Sequence, residues 1–163
     1  MASVWFGTTE SGHPHLMPSP RTDSSPLTDE AKAMLSRPNP AVIATVRKDG
    51  HPVSAATWYL LRGEQLLVNM DVHRKRLNHL RDDPRVSLTV IDESDWYTHV
   101  TVIGRVTDIY DDDGLSDIDA LSRHYQGKEY PDRDRPRVSA LIEVERVHGW
   151  GAQKNNDQPD GRG

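Results

Sequence analysis

Apolar positions change their period several times between residues 27 and 151, and each change marks an expected element. Thr28 to Ser36 opens with a capping Thr and two acids, then places Ala31, Met34 and Leu35 on one face. That predicts a short helix, stopped by Pro38 and Pro40. Ala41 to Arg47 is β-branched and apolar on both faces, as in a buried strand. Asp49-Gly50 is a hairpin signal, because both turn positions need positive φ. Val53 to Leu61 is the returning strand, with Pro52 at its start, where a missing donor is tolerated. Arg62-Gly63 turns the chain into another strand, Gln65 to Met70.

The β pattern breaks over Val72 to Asp82. There His73, Leu77 and Leu80 recur at helical spacing, Asp71 stands ready to cap, and Pro84 follows the end. Val86, Leu88 and Val90 alternate with polar residues, as in a half-buried strand. A polar turn, Asp92 to Asp95, leads into one long alternating strand, Trp96 to Tyr110. Gly104 inside that strand predicts a bulge or a barrel corner. Leu115, Ile118, Leu121 and Tyr125 mark a third helix, with Asp111, Asp112 and Asp113 at its positive end. A charged loop from Gly127 to Arg137 precedes the last strand, Val138 to Val147. The expectation is a mainly β fold: six antiparallel strands in a closed or nearly closed barrel, with three short helices at its ends. The alternating rhythm of a parallel α/β sheet is missing, and so is G-x-G-x-x-G.

Composition sharpens the boundaries. Only 35% of the 163 residues are hydrophobic, one residue is Phe, and mean hydropathy is -0.72. The deficit lies at the ends. Residues 1 to 26 are rich in Pro, Ser, Thr, Gly and His and follow no period, so a disordered or loosely packed arm is expected there. Trp5 and Phe6 are its exceptions. Residues 152 to 163 read as a disordered tail. The remaining small barrel needs a partner surface to complete its core. With no Cys, there is no disulfide, thiolate zinc site or thiol nucleophile. No run reaches the ~20 apolar residues of a membrane span. No signal-peptide order is visible either, so a cytoplasmic protein without membrane partners is expected.

One cluster carries chemistry. His73-Arg74-Lys75-Arg76, with Asn78, His79 and Arg81 behind it, joins a strand to a helix. Cations in a first helical turn oppose the macrodipole at ~0.3–1 kcal/mol each, and a bound anion reverses that sign. Arg forks match phosphate or carboxylate. The same run also fits a solvated basic face. Nucleic acid is a poor partner, because the net charge is -5 and Asp82 and Asp83 interrupt the run. Trp58 and Tyr59 follow Ala55, Ala56 and Thr57, a grouping that suits a planar ring or ordinary barrel packing. Trp96-Tyr97-Thr98-His99 and Trp150 place aromatics at strand ends, where they line a pocket, join an interface or cap the core. H-E-x-x-H and G-x-S-x-G are absent, and the acidic patch from Asp108 to Asp119 lacks EF-hand spacing, so no metal is expected.

The order of features resembles the pyridoxamine-5'-phosphate-oxidase-like split β-barrel superfamily. It looks closest to the flavin/deazaflavin oxidoreductases that use coenzyme F420. The resemblance runs through AVIATVRKDGHPVSAATWYL, LLVNMDVHRKRLNHLRDDPRVSLTV, DWYTHVTVIGRV and RVSALIEVERVHGWG. Its strongest part comprises Arg74, Arg76, His79, Leu80, Asp83, Pro84 and Arg85. It implies a homodimer with cofactor sites at the interface. Arg74 and Arg76, with Lys75 beside them, match the positions that hold the cofactor phosphate. Ala56, Thr57 and Trp58 match the strand along which the ring lies, and Trp96 and Trp150 would approach from the neighbouring subunit or roof the pocket. His79 stands where many relatives have Asn, and the amino-terminal arm has no counterpart. The implied activity is hydride transfer between the reduced 5-deazaflavin and a small or polycyclic organic substrate. Tyr97 and His99 are candidate proton donors. FMN on the same barrel, or a non-catalytic flavin- or deazaflavin-binding protein, are the alternatives.

Overall fold

The computed structural model describes residues 25–156. Most of the arm read at residues 1 to 26, including Trp5 and Phe6, lies outside them, as do residues 157 to 163 of the tail. Helix α1 (Asp29–Leu35) starts where Thr28 Oγ1 accepts a hydrogen bond from the Ala31 amide at 3.1 Å. Its buried face is Ala31, Met34 and Leu35. Strands β1 (Ala41–Val46) and β2 (Pro52–Thr57) form the hairpin expected at Asp49-Gly50, with Gly50 at φ 85°. Then come β3 (Leu60–Arg62), β4 (Gln65–Asp71), α2 (Lys75–Asp82), β5 (Arg85–Ile91), β6 (His99–Asp111), α3 (Ser116–Gln126) and β7 (Arg137–Trp150).

The strands form one antiparallel sheet in the order β2-β1-β5-β6-β7-β4-β3. Its two edges, β2 and β3, are consecutive in the chain and separated by Trp58 and Tyr59 alone. That short connection draws the edges of the curled sheet together, which gives a split barrel rather than an open sheet. Tyr59 turns inward at the break. It is fully buried, and its hydroxyl donates to the Arg37 carbonyl at 3.0 Å.

The barrel interior is filled by Ile43, Val68, Leu88, Val102, Ile142 and Val147 among others. Strand β4 is buried on both faces. Leu66, Val68 and Met70 face the interior, while Leu67 packs outward against Ile118 and Leu121 of α3. Helix α3 is fixed at its start by Asp112, whose carboxylate accepts from the Asp117 and Ile118 amides at 3.0 and 2.9 Å. Gly104 sits at a register shift between β6 and β7, and a Cβ there would stand 2.1 Å from the Glu143 carbonyl oxygen. The bulge expected at this glycine is present.

Four expectations need correction. The sheet has seven strands, not six, because the return strand read as Val53 to Leu61 breaks at Trp58 and Tyr59. The second helix begins at Lys75 rather than Val72; Asp71 does not cap it, but holds the preceding turn through the His73 amide at 2.8 Å. The strand expected from Trp96 starts at His99, since the carboxylates of Asp92 and Asp95 accept from nearby amides and tighten the turn before it. The last strand runs on to Trp150, and a 3-10 helix follows at Gly151–Asn156, overlapping the start of the stretch 152 to 163 read as tail. Thr98 Oγ1 accepts from the Ala152 amide at 3.2 Å, and Asn156 bonds Thr28, so this segment is fastened to both β6 and α1.

Candidate cofactor-binding site

Strand β4 ends in a tight turn. Asp71 accepts from the His73 amide through its carboxylate and from the Arg74 amide through its carbonyl, at 3.0 Å for the latter. The turn delivers His73, Arg74, Lys75 and Arg76 to the start of α2, whose other face is anchored by buried Leu77 and Leu80. His79, one turn on, is tied to β1: its Nδ1 lies 3.0 Å from Thr45 Oγ1.

These residues line a cavity of about 1300 Å³. Its other walls are the exposed strand β2, the inner end of β4, and the Ile118, Leu121 and Tyr125 face of α3. Of the nine residues that the resemblance matches to the cofactor, seven meet there: Ala56, Thr57, Trp58, Arg74, Lys75, Arg76 and His79. Trp58 stacks on Tyr125, so the aromatic side of the cavity is a wall shared by the β2–β3 break and α3. Trp96 and Trp150 do not line it; they are 73% and 58% exposed, at the same end of β6 and β7. Tyr97 and His99 lie outside it too, with His99 Nδ1 3.1 Å from the Tyr97 carbonyl.

The electrostatics are one-sided. The lining holds Arg47, Arg74, Lys75, Arg76 and Arg137 against a single acid, Glu93. Arg47 is paired with Asp49 at 2.8 Å, but no described ion pair reaches Arg74, Lys75, Arg76 or Arg137. Arg76 is half-buried, and its Nε is buried without a hydrogen-bond partner. Burial first, then the charges of Arg74 and Arg137, pull its basicity below the ordinary arginine value. A guanidinium does not escape that cost by losing its proton. A bound anion offsets it, by supplying both charge and acceptors. The donor set therefore fits a phosphate-bearing ligand.

Arg137, Asn69 and Tyr130 also line the cavity and were not singled out in the sequence. Arg137 closed an unremarkable charged loop there. The missing signal is strand register: β7 pairs with β4 so that Arg137 lies opposite Asp71, beside the basic turn. Among the described residues no cluster suits a metal ion and no helix is long and apolar enough to cross a membrane.

The barrel and its cationic cavity define a split-barrel scaffold with a site suited to an anionic ligand. Residues 27–151 match the pyridoxamine 5'-phosphate oxidase family, and the chain belongs to that family. Among solved structures, an F420 reductase is 29% identical, with TM-score 0.67 over 72% of this chain and 94% of that one. A conserved hypothetical protein of Mycobacterium tuberculosis is 21% identical, with TM-score 0.62 over 84% and 93%. General Stress Protein 26 of Bacillus anthracis is 20% identical, with TM-score 0.57 over 73% and 89%. The last two are similar in fold. No curated protein matches the chain.

Proposed function

We propose that the protein is an oxidoreductase that binds coenzyme F420 and transfers hydride between its reduced form and a small or polycyclic organic substrate. The observation that carries this is the set of unpaired cations at the head of α2, above all Arg76 with its buried, partnerless Nε. The 29% identity to a solved F420 reductase supports the choice of deazaflavin.

Arg74, Lys75 and Arg76 hold the phosphate, with His79 steadied beside them by Thr45. Ala56 and Thr57 offer small side chains along an exposed strand, where a planar ring can approach the backbone closely. Trp58 and Tyr125 form the aromatic wall that shields the ring from water. When bound, a 5-deazaflavin supplies hydride from carbon and resists one-electron chemistry, so the chain's own task is to bind, orient and exclude solvent. Trp96, Tyr97 and Trp150, exposed together, are the face on which a second copy docks to make a homodimer. Trp96 and Trp150 then reach the site only through that docking.

Membership of an oxidase family leaves FMN on the same barrel as the second reading. Titration of the purified protein with coenzyme F420 and with FMN separates the two. Tight F420 binding with F420-dependent reduction of an activated double bond supports the proposal. A yellow, FMN-loaded preparation with no affinity for the deazaflavin overturns it.

A further inference from the structure

We infer that Arg137 is a further cation of the anion seat, and that Asn69 is the residue that positions it. The inference rests on the phosphate-bearing ligand proposed above, but on different residues and a different part of the chain.

Strand register brings Arg137 to the site. It opens β7 opposite Asp71, the residue that ends β4 and starts the basic turn. Its guanidinium is held in one plane. Nε donates to Asn69 Oδ1 at 2.6 Å, Nη1 donates to Tyr130 Oη at 3.3 Å, and Cζ stands 4.8 Å over the Tyr130 ring. Nη2 keeps no hydrogen-bond partner among the described residues. None of these contacts removes charge. Asp71, whose carboxylate feels the Arg137 charge, is engaged by the His73 amide and Arg135. An arginine meant only to brace the fold would commonly face a carboxylate. Here its fixing partners are a neutral amide and a phenol, so its full charge faces the cavity.

Asn69 cannot easily turn away. It is 7% exposed, and its Nδ2 donates to Asp112 Oδ2 and Ser139 Oγ, both at 3.0 Å. Ser139 Oγ in turn donates to Asp117 Oδ2 at 2.7 Å. With both amide hydrogens committed to acceptors, only Oδ1 is left for Arg137. The same Asp112 caps α3, which carries the Ile118, Leu121 and Tyr125 wall. The cationic end and the apolar wall of the cavity are thus braced by one buried network. Preorganised donors lose little entropy when the anion arrives.

Two ligand pairs test this by fluorescence titration of the full chain: coenzyme F420 against its phosphate-free deazaflavin core, and FMN against riboflavin. Wild type should favour the phosphorylated member of at least one pair. Arg137→Ala should reduce that preference about 10-fold or more, while affinity for the phosphate-free member stays within about two-fold. Arg137→Lys, which keeps the charge but not the fork, should retain part of the preference. Asn69→Ala should lower the preference about 3- to 10-fold with Arg137 still in place. If Arg137→Ala leaves the preference intact, or weakens both members equally, Arg137 is not part of the seat. In that event a paired loss of preference in Arg74→Ala/Arg76→Ala would show that the phosphate reading itself survives. A wild-type protein with no preference in either pair overturns both.

Discussion

The Trp58 and Tyr125 rings stack with centroids 5.3 Å apart and planes 10° from parallel. Tyr125 is itself held, because its hydroxyl donates to the Asn39 carbonyl at 2.8 Å and Tyr59 meets it edge-on at 6.4 Å. Burial pushes the Tyr125 phenol up to about 12, so it stays protonated and donating throughout the neutral range. The stack fastens the break between the two sheet edges to α3, and the same pair forms a wall of the cavity.

Trp58→Ala should therefore act on both stability and binding. Loss of the stack costs about 0.5–1.5 kcal/mol beyond lost buried area, and Trp58→Phe should recover part of it. Denaturant midpoints measure the first effect. In titrations, Trp58→Ala should weaken phosphorylated and phosphate-free ligands to the same degree, which separates a ring contact from a phosphate contact.

Removing the cations should move stability and binding in opposite directions. Arg74 and Arg76 repel each other and have no acid partner, so Arg74→Ala/Arg76→Ala should leave the ligand-free protein as stable or up to about 1 kcal/mol more so. Cofactor affinity should fall by several kcal/mol, at ~1.5–3 kcal/mol for each charged hydrogen bond. Thermal melts with and without ligand measure both. A double variant that melts lower without ligand and binds normally would mark the cluster as a structural face.

Local signals made much of this protein legible in its sequence. Alternation gave the strands, Asp49-Gly50 the hairpin, and Gly104 the bulge, because each is a preference of a few adjacent residues. The basic run was visible for the same reason, and so were Ala56, Thr57 and Trp58. What stayed hidden depends on contacts across long separations. The break at Trp58 and Tyr59 falls in a run that reads as one strand, and only closure of the sheet decides it. Arg137 and Asn69 are 68 residues apart in sequence and meet through β4–β7 register, which no local pattern encodes. Trp96 reads as the start of a strand by alternation, but the Asx turns at Asp92 and Asp95 compete with β pairing there and delay the strand to His99.

The exposed aromatic face should govern assembly. Trp96 and Tyr97 lie with centroids 4.8 Å apart, and Trp150 pairs with His99 three residues on. Trp150→Glu, on a side chain that is 58% exposed, should leave the isolated fold nearly unchanged, within about 0.5 kcal/mol. Sedimentation should then show a dimer for the wild type and a monomer for the variant. A monomeric wild type would remove both the dimer and any role for Trp96 and Trp150 at the site.

Acid should unfold the protein through its depressed carboxylates. Hydrogen bonds from the Ser94 hydroxyl and amide, followed by Arg37, hold Asp92 at about 2 against an ordinary 3.8. The Arg85 guanidinium and amide hold Asp83 at about 2 in the same way. Asp117 is pushed up by burial, but bonds from Tyr110, Ser139 and Arg62 outweigh that and leave it below its usual range. Each group binds its proton more weakly folded than unfolded. For Asp92 and Asp83 the stabilisation is complete above the unfolded value near 3.8 and disappears as pH falls through the folded value near 2. Urea midpoints should therefore be flat across pH 7 to 5 in this respect and drop between about 4 and 2. Asp92→Asn and Asp83→Asn should each flatten that drop, and Asp92→Asn should also loosen the turn that carries Trp96. A decline already under way at about pH 6 would instead assign the acid sensitivity to groups other than these carboxylates.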